Sequence, residues 1–253
     1  KEKSTNDDVY DTFRGRIMIP IRDKQHRIIA FTARLLPDIL AHDPNAPKYI
    51  NSSTSLIYDK GNSLFGIDVA WNVASKAGVM NLVEGAPDVM RLQVIGASNT
   101  VAPLGSSWTE AQLSMLKRIT DRLNIIPDSD IPKEGEHFGV GFTSAMRTGK
   151  LALSLGFIVT IQEIPIGDWK NDPDSYLVSK DKLDELTRQD FVMWYASKVI
   201  NLNGENIPQQ AKAIHEVAEL VKTIPDKVLQ ESYTDKLINV YGHENMWKRE
   251  IMG

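Results

Sequence analysis

The chain has 253 residues, 42% hydrophobic and 25% charged, and its 29 basic and 33 acidic side chains leave a net charge of −4. That profile belongs to a soluble globular protein, and no apolar run approaches the ~20 residues a membrane span needs. The absence of cysteine excludes a disulfide scaffold and any thiolate zinc site, and fits a reducing cytoplasm.

The first residues, Lys1 to Asp8, are polar and lack the apolar core of a secretory leader. A chain that opens on Lys1 without an initiator Met reads as a piece of a longer protein. From Arg16 to Leu36, two β-branched runs flank the polar turn Asp23-Lys24-Gln25-His26, which predicts a hairpin, with Pro20 at an edge or a bulge. Asp38 to Asn51 is rich in Pro, Asp and Asn and predicts a loop. A helix is expected from Asp68 to Lys76, closed by Gly78.

Then the texture changes. Strands are predicted at Val79–Val83, Thr100–Leu104, Asn124–Pro127 and Phe157–Ile164. Between them lie helices at Pro87–Val94, from a Thr109 cap to about Leu123, and at Thr143–Leu155. Gly149-Lys150 lacks the ending of a phosphate-binding P-loop and reads as a helix C-cap. Short strands alternating with helices of about a dozen residues mean βαβ units around a largely parallel sheet. From Leu183 onward the pattern is helical, with breaks at Asn201–Pro208 and near Pro225. Boundaries fall near residues 77 and 182. Trp108, Trp194 and Trp247 are expected to pack against helices rather than to stack bases.

Charge is unevenly spread. Between Phe13 and Lys60, Arg14, Arg16, Arg22, Lys24, Arg27, Arg34, Lys48 and Lys60 face only Asp23, Asp38, Asp43 and Asp59. The acids concentrate at predicted strand ends, where open α/β sheets bind their ligands. Glu84 closes the first such strand, with Asp88 one helical turn beyond. Asp128 and Asp130 close the third, and Asp168, Asp172 and Asp174 follow the strand ending at Ile164. In Asp128-Ser129-Asp130 an extended backbone puts both carboxylates on one side. Carboxylates brought together from separate strand ends repel unless a cation lies among them, and an all-oxygen donor set selects Mg²⁺ or Mn²⁺ over zinc. Such ions clamp the attacking and leaving oxygens of a displacement at phosphorus.

A Glu after one strand and an Asp-x-Asp after a later one resembles the signature of the TOPRIM fold. Primases, type IA topoisomerases, OLD-type nucleases and RecR proteins share that fold. The flanking sequence resembles one branch of it, the bacterial replicative (DnaG-type) primases. Tyr10-Asp11, Phe13-Arg14, Arg16, Met18 and Pro20-Ile21-Arg22-Asp23 are similar to the opening of their polymerase core. Pro47-Lys48-Tyr49-Ile50-Asn51-Ser52, Ile57-Tyr58 through Lys60-Gly61 to Leu64-Phe65-Gly66, Val83-Glu84-Gly85 with Asp88-Val89, Leu104-Gly105 and Asp172-Pro173-Asp174 follow in the family's order.

The resemblance implies an α/β fold: a TOPRIM-type, mostly parallel sheet flanked by helices over residues 77–182. A partial basic α+β subdomain (1–76) precedes it and a helical subdomain (183–253) follows. It implies that Glu84, Asp128 and Asp130 form the catalytic metal site with Asp88, Asp172 and Asp174 in support. Arg14, Arg16, Arg22, Lys48 and Lys60 would hold template or nucleotide phosphates. It implies synthesis of short RNA primers from NTPs on single-stranded DNA, with Mg²⁺ or Mn²⁺ as cofactor, an RNA–DNA hybrid as product and a replicative helicase as partner through a region outside this chain. A TOPRIM nuclease, or a non-catalytic module that binds single-stranded DNA or a nucleotide, is the alternative. This sequence departs from the family in the insertion Ile131–Gly141 between Asp130 and the next helix, which points to a divergent member of phage, plasmid or mobile-element type.

Overall fold

The computed structural model describes residues 11–43, 45–167, 171–202 and 206–253; Tyr10 of the opening motif and Asp168 lie outside them. The two β-branched runs pair as expected. Strands β1 (Arg16–Arg22) and β2 (Ile28–Leu35) form an antiparallel hairpin with Ile17 opposite Arg34 and Ile21 opposite Ala30. Asp23 organises the turn, its carboxylate accepting from the backbone N–H groups of Gln25 and Arg27 at 2.9 and 3.0 Å. Pro20 sits on β1, the outer strand of a three-stranded sheet, where a missing N–H is tolerated.

The stretch from Asp38 to Asn51 is not a plain loop. It carries α1 (Pro37–His42) and β3 (Tyr49–Asn51), which adds antiparallel to β2. Pro37 presets the first helical turn. Tertiary bonds hold the strand, since the Asn51 amide donates to the Leu104 carbonyl at 2.8 Å. No local pattern reports a bond across that separation.

A second sheet forms the centre of the molecule. Its strands are β4 (Leu64–Phe65), β5 (Met80–Leu82), β6 (Thr100–Pro103), β7 (Arg122–Ile125), β8 (Ile158–Gln162) and β9 (Arg188–Asp190), in the order β4-β6-β5-β7-β8-β9. The four inner strands are parallel, and β4 and β9 run antiparallel at the edges. Crossovers supply α3 (Ala86–Val94), α4 (Glu110–Leu116) and α5 (Val140–Ser154), with α2 (Ile67–Ala77) before β5 and the short α6 (Pro173–Tyr176) and α7 (Lys180–Glu185) after β8. Side chains alternate along each strand, so Met80, Leu82, Leu123, Ile125, Val159 and Ile161 pack in one core with α2, α4 and α5. Val83, Ile126 and Ile164 belong to the core on the α3 side.

That second face also buries a polar row. The Asn124 amide donates to the Asn81 carbonyl oxygen at 3.0 Å and to that of Gln162 at 2.8 Å, and Gln162 donates to the carbonyls of Leu183 and Leu186. Each amide satisfies its neighbour, which is what lets polar groups sit in a core without a desolvation penalty.

Local differences have local causes. The helix capped by Thr109 stops at Leu116 rather than near Leu123. The Thr120 hydroxyl donates to the Gly78 carbonyl and accepts from the Arg122 N–H, fixing a turn that feeds β7. Gly149-Lys150 does not cap a helix but lies inside α5, where a Cβ on Gly149 would sit 2.1 Å from the Phe191 ring. The strand β9 was hidden in a stretch read as helical. Beyond it, α8 (Phe191–Leu202), α9 (Ile207–Lys222), α10 (Lys227–Tyr241) and α11 (Glu244–Met252) pack around Trp194 and Trp247, both fully buried. Three elements cross the expected boundaries: β4 and α2, which end by residue 77, belong to the central sheet and its core, and β9 extends that sheet past residue 182. No helix among the described residues is long and apolar enough to cross a membrane.

Candidate active site

The path of the chain fixes where a ligand gathers. From β5 it crosses to β6 on one side, then returns to β7 on the other, so connections diverge at the carboxyl ends of β5 and β7. Glu84 follows β5 and Asp128 follows β7, and the Asp128 N–H donates to the Glu84 carboxylate at 3.4 Å. Two acids remote in sequence thus meet at the switch point.

Asp88, Asp172 and Asp174 gather beside them. Asp88 lies in the first turn of α3 and is buried, its carboxylate accepting from the Gly85 N–H at 2.9 Å and the Asp174 N–H at 3.1 Å. Burial pushes the Asp88 carboxyl up to about 7, the Asp128 charge adds to the rise, and the two backbone donors oppose it. Asp172 caps α6, accepting from the Ser175 N–H at 2.8 Å. A bridge between Ser129 and Asn171 ties that segment to the Asp-Ser-Asp run. Asp174 is ion-paired with Arg91, Nε to Oδ1 at 3.2 Å.

The insertion from Ile131 to Gly141 does not displace the helix that follows it. Gly139 and Gly141 bring the first turn of α5 back onto the acidic run, so tightly that a Cβ on Gly141 would lie 2.2 Å from the Asp128 carbonyl oxygen and one on Gly139 2.3 Å from that of Asp130. Asp130 in turn accepts from the Gly141 N–H at 2.8 Å, using the positive end of the helix. Phe138 of the insertion stacks on Phe142 with ring centroids 3.8 Å apart, and Phe142 leans on Trp194 of α8.

Besides a crevice of about 10 Å³ behind Glu84, three cavities among the described residues border this edge. One of about 570 Å³ is lined by Glu84, Ser106, His137, Thr143, Ser144 and Arg147. One of about 210 Å³ holds Asp128, Asp130, His137, Glu163 and Lys198. A third, of about 330 Å³, lies between the hairpin sheet and α3 and contains Asp174, Arg91, Arg34 and Tyr49. Neither Arg147, whose guanidinium donates to the Ser107 hydroxyl, nor Lys198, paired with Glu163 at 2.9 Å, was picked out from sequence. Their elements were legible, but no spacing ties α5 or α8 to the acids.

The basic set divides. Arg14 and Lys48 are exposed, and Arg16 donates to the carbonyls of Ala33 and Lys48 at 3.4 Å. Exposed Lys60 reaches Gly105, in the loop after β6. Arg22 stands apart: it donates to the His26 carbonyl and lines a different cavity with Trp71 and Arg118, which none of the six carboxylates enters.

The donor chemistry fits a hard divalent cation, being oxygen throughout, with Asp88 raised by burial first and by the Asp128 charge second. Among the described residues, no three Asp, Glu or His side chains already converge as a finished metal cage. Mutually repelling carboxylates have no reason to close up without a cation between them.

A mostly parallel sheet with these acids at its switch point defines a Toprim-like domain, and residues 81–177 match the family described as Toprim-like. Residues 1–71 match the N-terminal domain of the DNA primase catalytic core, and residues 189–242 the DnaB-helicase binding domain of primase. The chain belongs to the DnaG-type DNA primase family. A DNA primase of Halalkalibacterium halodurans is 34% identical over 233 residues, 88% of this chain and 36% of the relative. A DNA primase domain from Pseudomonas aeruginosa superposes with a TM-score of 0.79 at 25% identity, covering 100% of this chain and 77% of that one. A DnaG primase catalytic domain bound to ssDNA gives 0.74 at 26% identity, covering 93% and 72%. The chain thus spans about a third of the length of the curated relatives it matches. The helicase contact, expected outside this chain, has its family match inside it, on β9 to α10.

Proposed function

We propose that this chain is a primase catalytic core that makes short RNA primers from NTPs on single-stranded DNA. The observation that carries the reading is the meeting of Glu84 and Asp128 at the sheet's switch point, with Asp130 beside them in the next cavity. Mg²⁺ or Mn²⁺ bound there would neutralise the charge that develops on the phosphoryl oxygens during the displacement. Glu84, Asp128 and Asp130 would be its principal ligands, with Asp88, Asp172 and Asp174 holding the neighbouring backbone and adding negative potential.

The chain's own work is positional. Tight contact of Gly139 and Gly141 with the acidic run holds two carboxylates against a helix start. Arg147 and the hydroxyls of Ser106, Thr143 and Ser144 offer donors to a triphosphate in the largest of the bordering cavities. Arg14, Arg16, Lys48 and Lys60 present a cationic rim for template phosphates; Arg22, in its separate cavity, would act further along the strand. Little covalent chemistry is left to side chains. Residues 189–242 supply the surface for a DnaB-type helicase, as their family match supports, in a cytoplasmic replication assembly.

The test is to mix the protein with single-stranded DNA, labelled NTPs and Mg²⁺ or Mn²⁺. Primers that disappear in Asp128→Ala support the reading. Shortened DNA would indicate a nuclease, and DNA binding without product a silent module; either result overturns it.

A further inference from the structure

The stretch between Asp130 and α5 is where this sequence departs from its family, and it folds as a built wall. Lys133 to Glu136 close a turn, the Glu136 N–H donating to the Lys133 carbonyl at 2.9 Å. Gly135 takes φ +81° there, the left-handed conformation that the third position of such a turn asks of glycine. Phe138 then stacks on Phe142, whose ring centroid lies 4.7 Å from that of Trp194. Gly139 and Gly141 seat the chain against the acidic run. His137 lies between the turn and the stacked ring, so its backbone is held from both sides.

This wall forms one side of the cavity of about 570 Å³. Thr143, Ser144 and Arg147, on one face of α5, form another, and Glu84 and Ser106 line it from the strand ends. The insertion also borders the cavity that holds Asp128 and Asp130, and only His137 and Phe138 line both. Of these two, only His137 donates hydrogen bonds. Phe138 does the packing, whereas His137 is exposed and belongs to neither hydrophobic core. Its ring therefore stands where the two acid-lined cavities meet, without serving the fold.

We infer that His137 is a substrate-contacting residue particular to this chain: it shares the β- and γ-phosphates of the incoming nucleotide with Arg147 and so selects a triphosphate over shorter nucleotides. The inference rests on the proposed function for its substrate. A polyphosphate is the anion long enough to run from the meeting point of Glu84 and Asp128 along a cavity of this size. Glu84 and Glu136 leave the lining without net positive charge, so a phosphate is held there by placed donors rather than by bulk attraction. An imidazole keeps at least one N–H whether charged or neutral, so the contact needs no change of protonation. Stacking of Phe138 on Phe142 positions the donor without touching the nucleotide.

The experiment compares binding of ATP, ADP and AMP in the presence of Mg²⁺ by titration calorimetry, without template. His137→Ala, at an exposed position that does not threaten folding, should weaken ATP binding about 10- to 100-fold, the scale of one hydrogen bond to a charged group. AMP binding should hold. His137→Asn, which keeps an N–H donor, should recover most of the loss, and Phe138→Ala should reproduce part of it. In primer synthesis His137→Ala should raise KM for NTPs more than it lowers kcat, as loss of a ground-state contact does. An ATP-to-AMP preference equal in wild type and His137→Ala overturns the inference, and so does a parallel loss of ATP and AMP affinity. Because binding is read apart from synthesis, a wild-type chain that holds ATP through His137 yet makes no primers would overturn the primase reading and support this one.

Discussion

The acidic edge and the hairpin sheet handle charge in opposite ways. At the edge, carboxylates are held by backbone: Asp88 by two N–H groups, Asp130 by the first turn of α5, Asp172 by the cap it forms on α6. On the hairpin side, Arg14, Lys48 and Lys60 are exposed. The difference follows from what each must meet. On the function proposed, a small divalent cation would demand ligands fixed within tenths of an ångström, whereas a moving strand of phosphates would need only charge within reach. The comparison predicts that damage at the edge is abrupt and damage at the hairpin graded.

The largest effect should come from Asp128→Ala. Removing a carboxylate from the point where β5 and β7 diverge is expected to lower primer synthesis by about 1000-fold or more, the scale seen when a group stabilising developing charge is lost. Affinity for single-stranded DNA in EDTA should hold. A parallel loss of DNA binding would break the distinction between the two regions.

Next comes the scaffold beneath the edge. Asn124→Ala strands the Asn81 acceptor in the core and leaves Gln162 only its Arg188 donor, and a stability loss of about 2–4 kcal/mol should appear in urea unfolding. Gly141→Ala forces a methyl group onto the Asp128 carbonyl and should cost about 1–3 kcal/mol. It sharpens the comparison if synthesis falls further than that stability loss explains, because the displaced group is the backbone of a proposed ligand. A fully active Gly141→Ala would show that the edge tolerates movement.

The smallest effect is expected at the rim. Lys48→Ala should weaken single-strand binding several-fold and flatten the log–log salt dependence by about 0.7. An unchanged slope in an anisotropy titration would remove Lys48 from the phosphate path.

Much of this was legible in the chain because the signals were local. The hairpin announced itself by two β-branched runs around Asp23, and the carboxylates by their position after apolar strands. Thr109 capped its helix as read, accepting from the Gln112 N–H at 3.1 Å. What stayed hidden depended on distant partners. β3 and β9 are three residues each, too short for any period to show, and both exist through pairing with β2 and β8. The Arg91–Asp174 pair, the return of α5 onto Asp128 through Gly141, and the cavity at Tyr49 join residues that no spacing rule connects.

The central claim is that carboxylates from separate strand ends share a divalent ion. Mn²⁺ titration followed by electron paramagnetic resonance reads this without substrate or synthesis. The wild-type chain should take up Mn²⁺ with loss of the free-ion signal, and Glu84→Gln with Asp128→Asn should return that signal to the protein-free level while the fold persists. Equal uptake by both proteins would mean that the metal, and with it the chemistry, lies elsewhere.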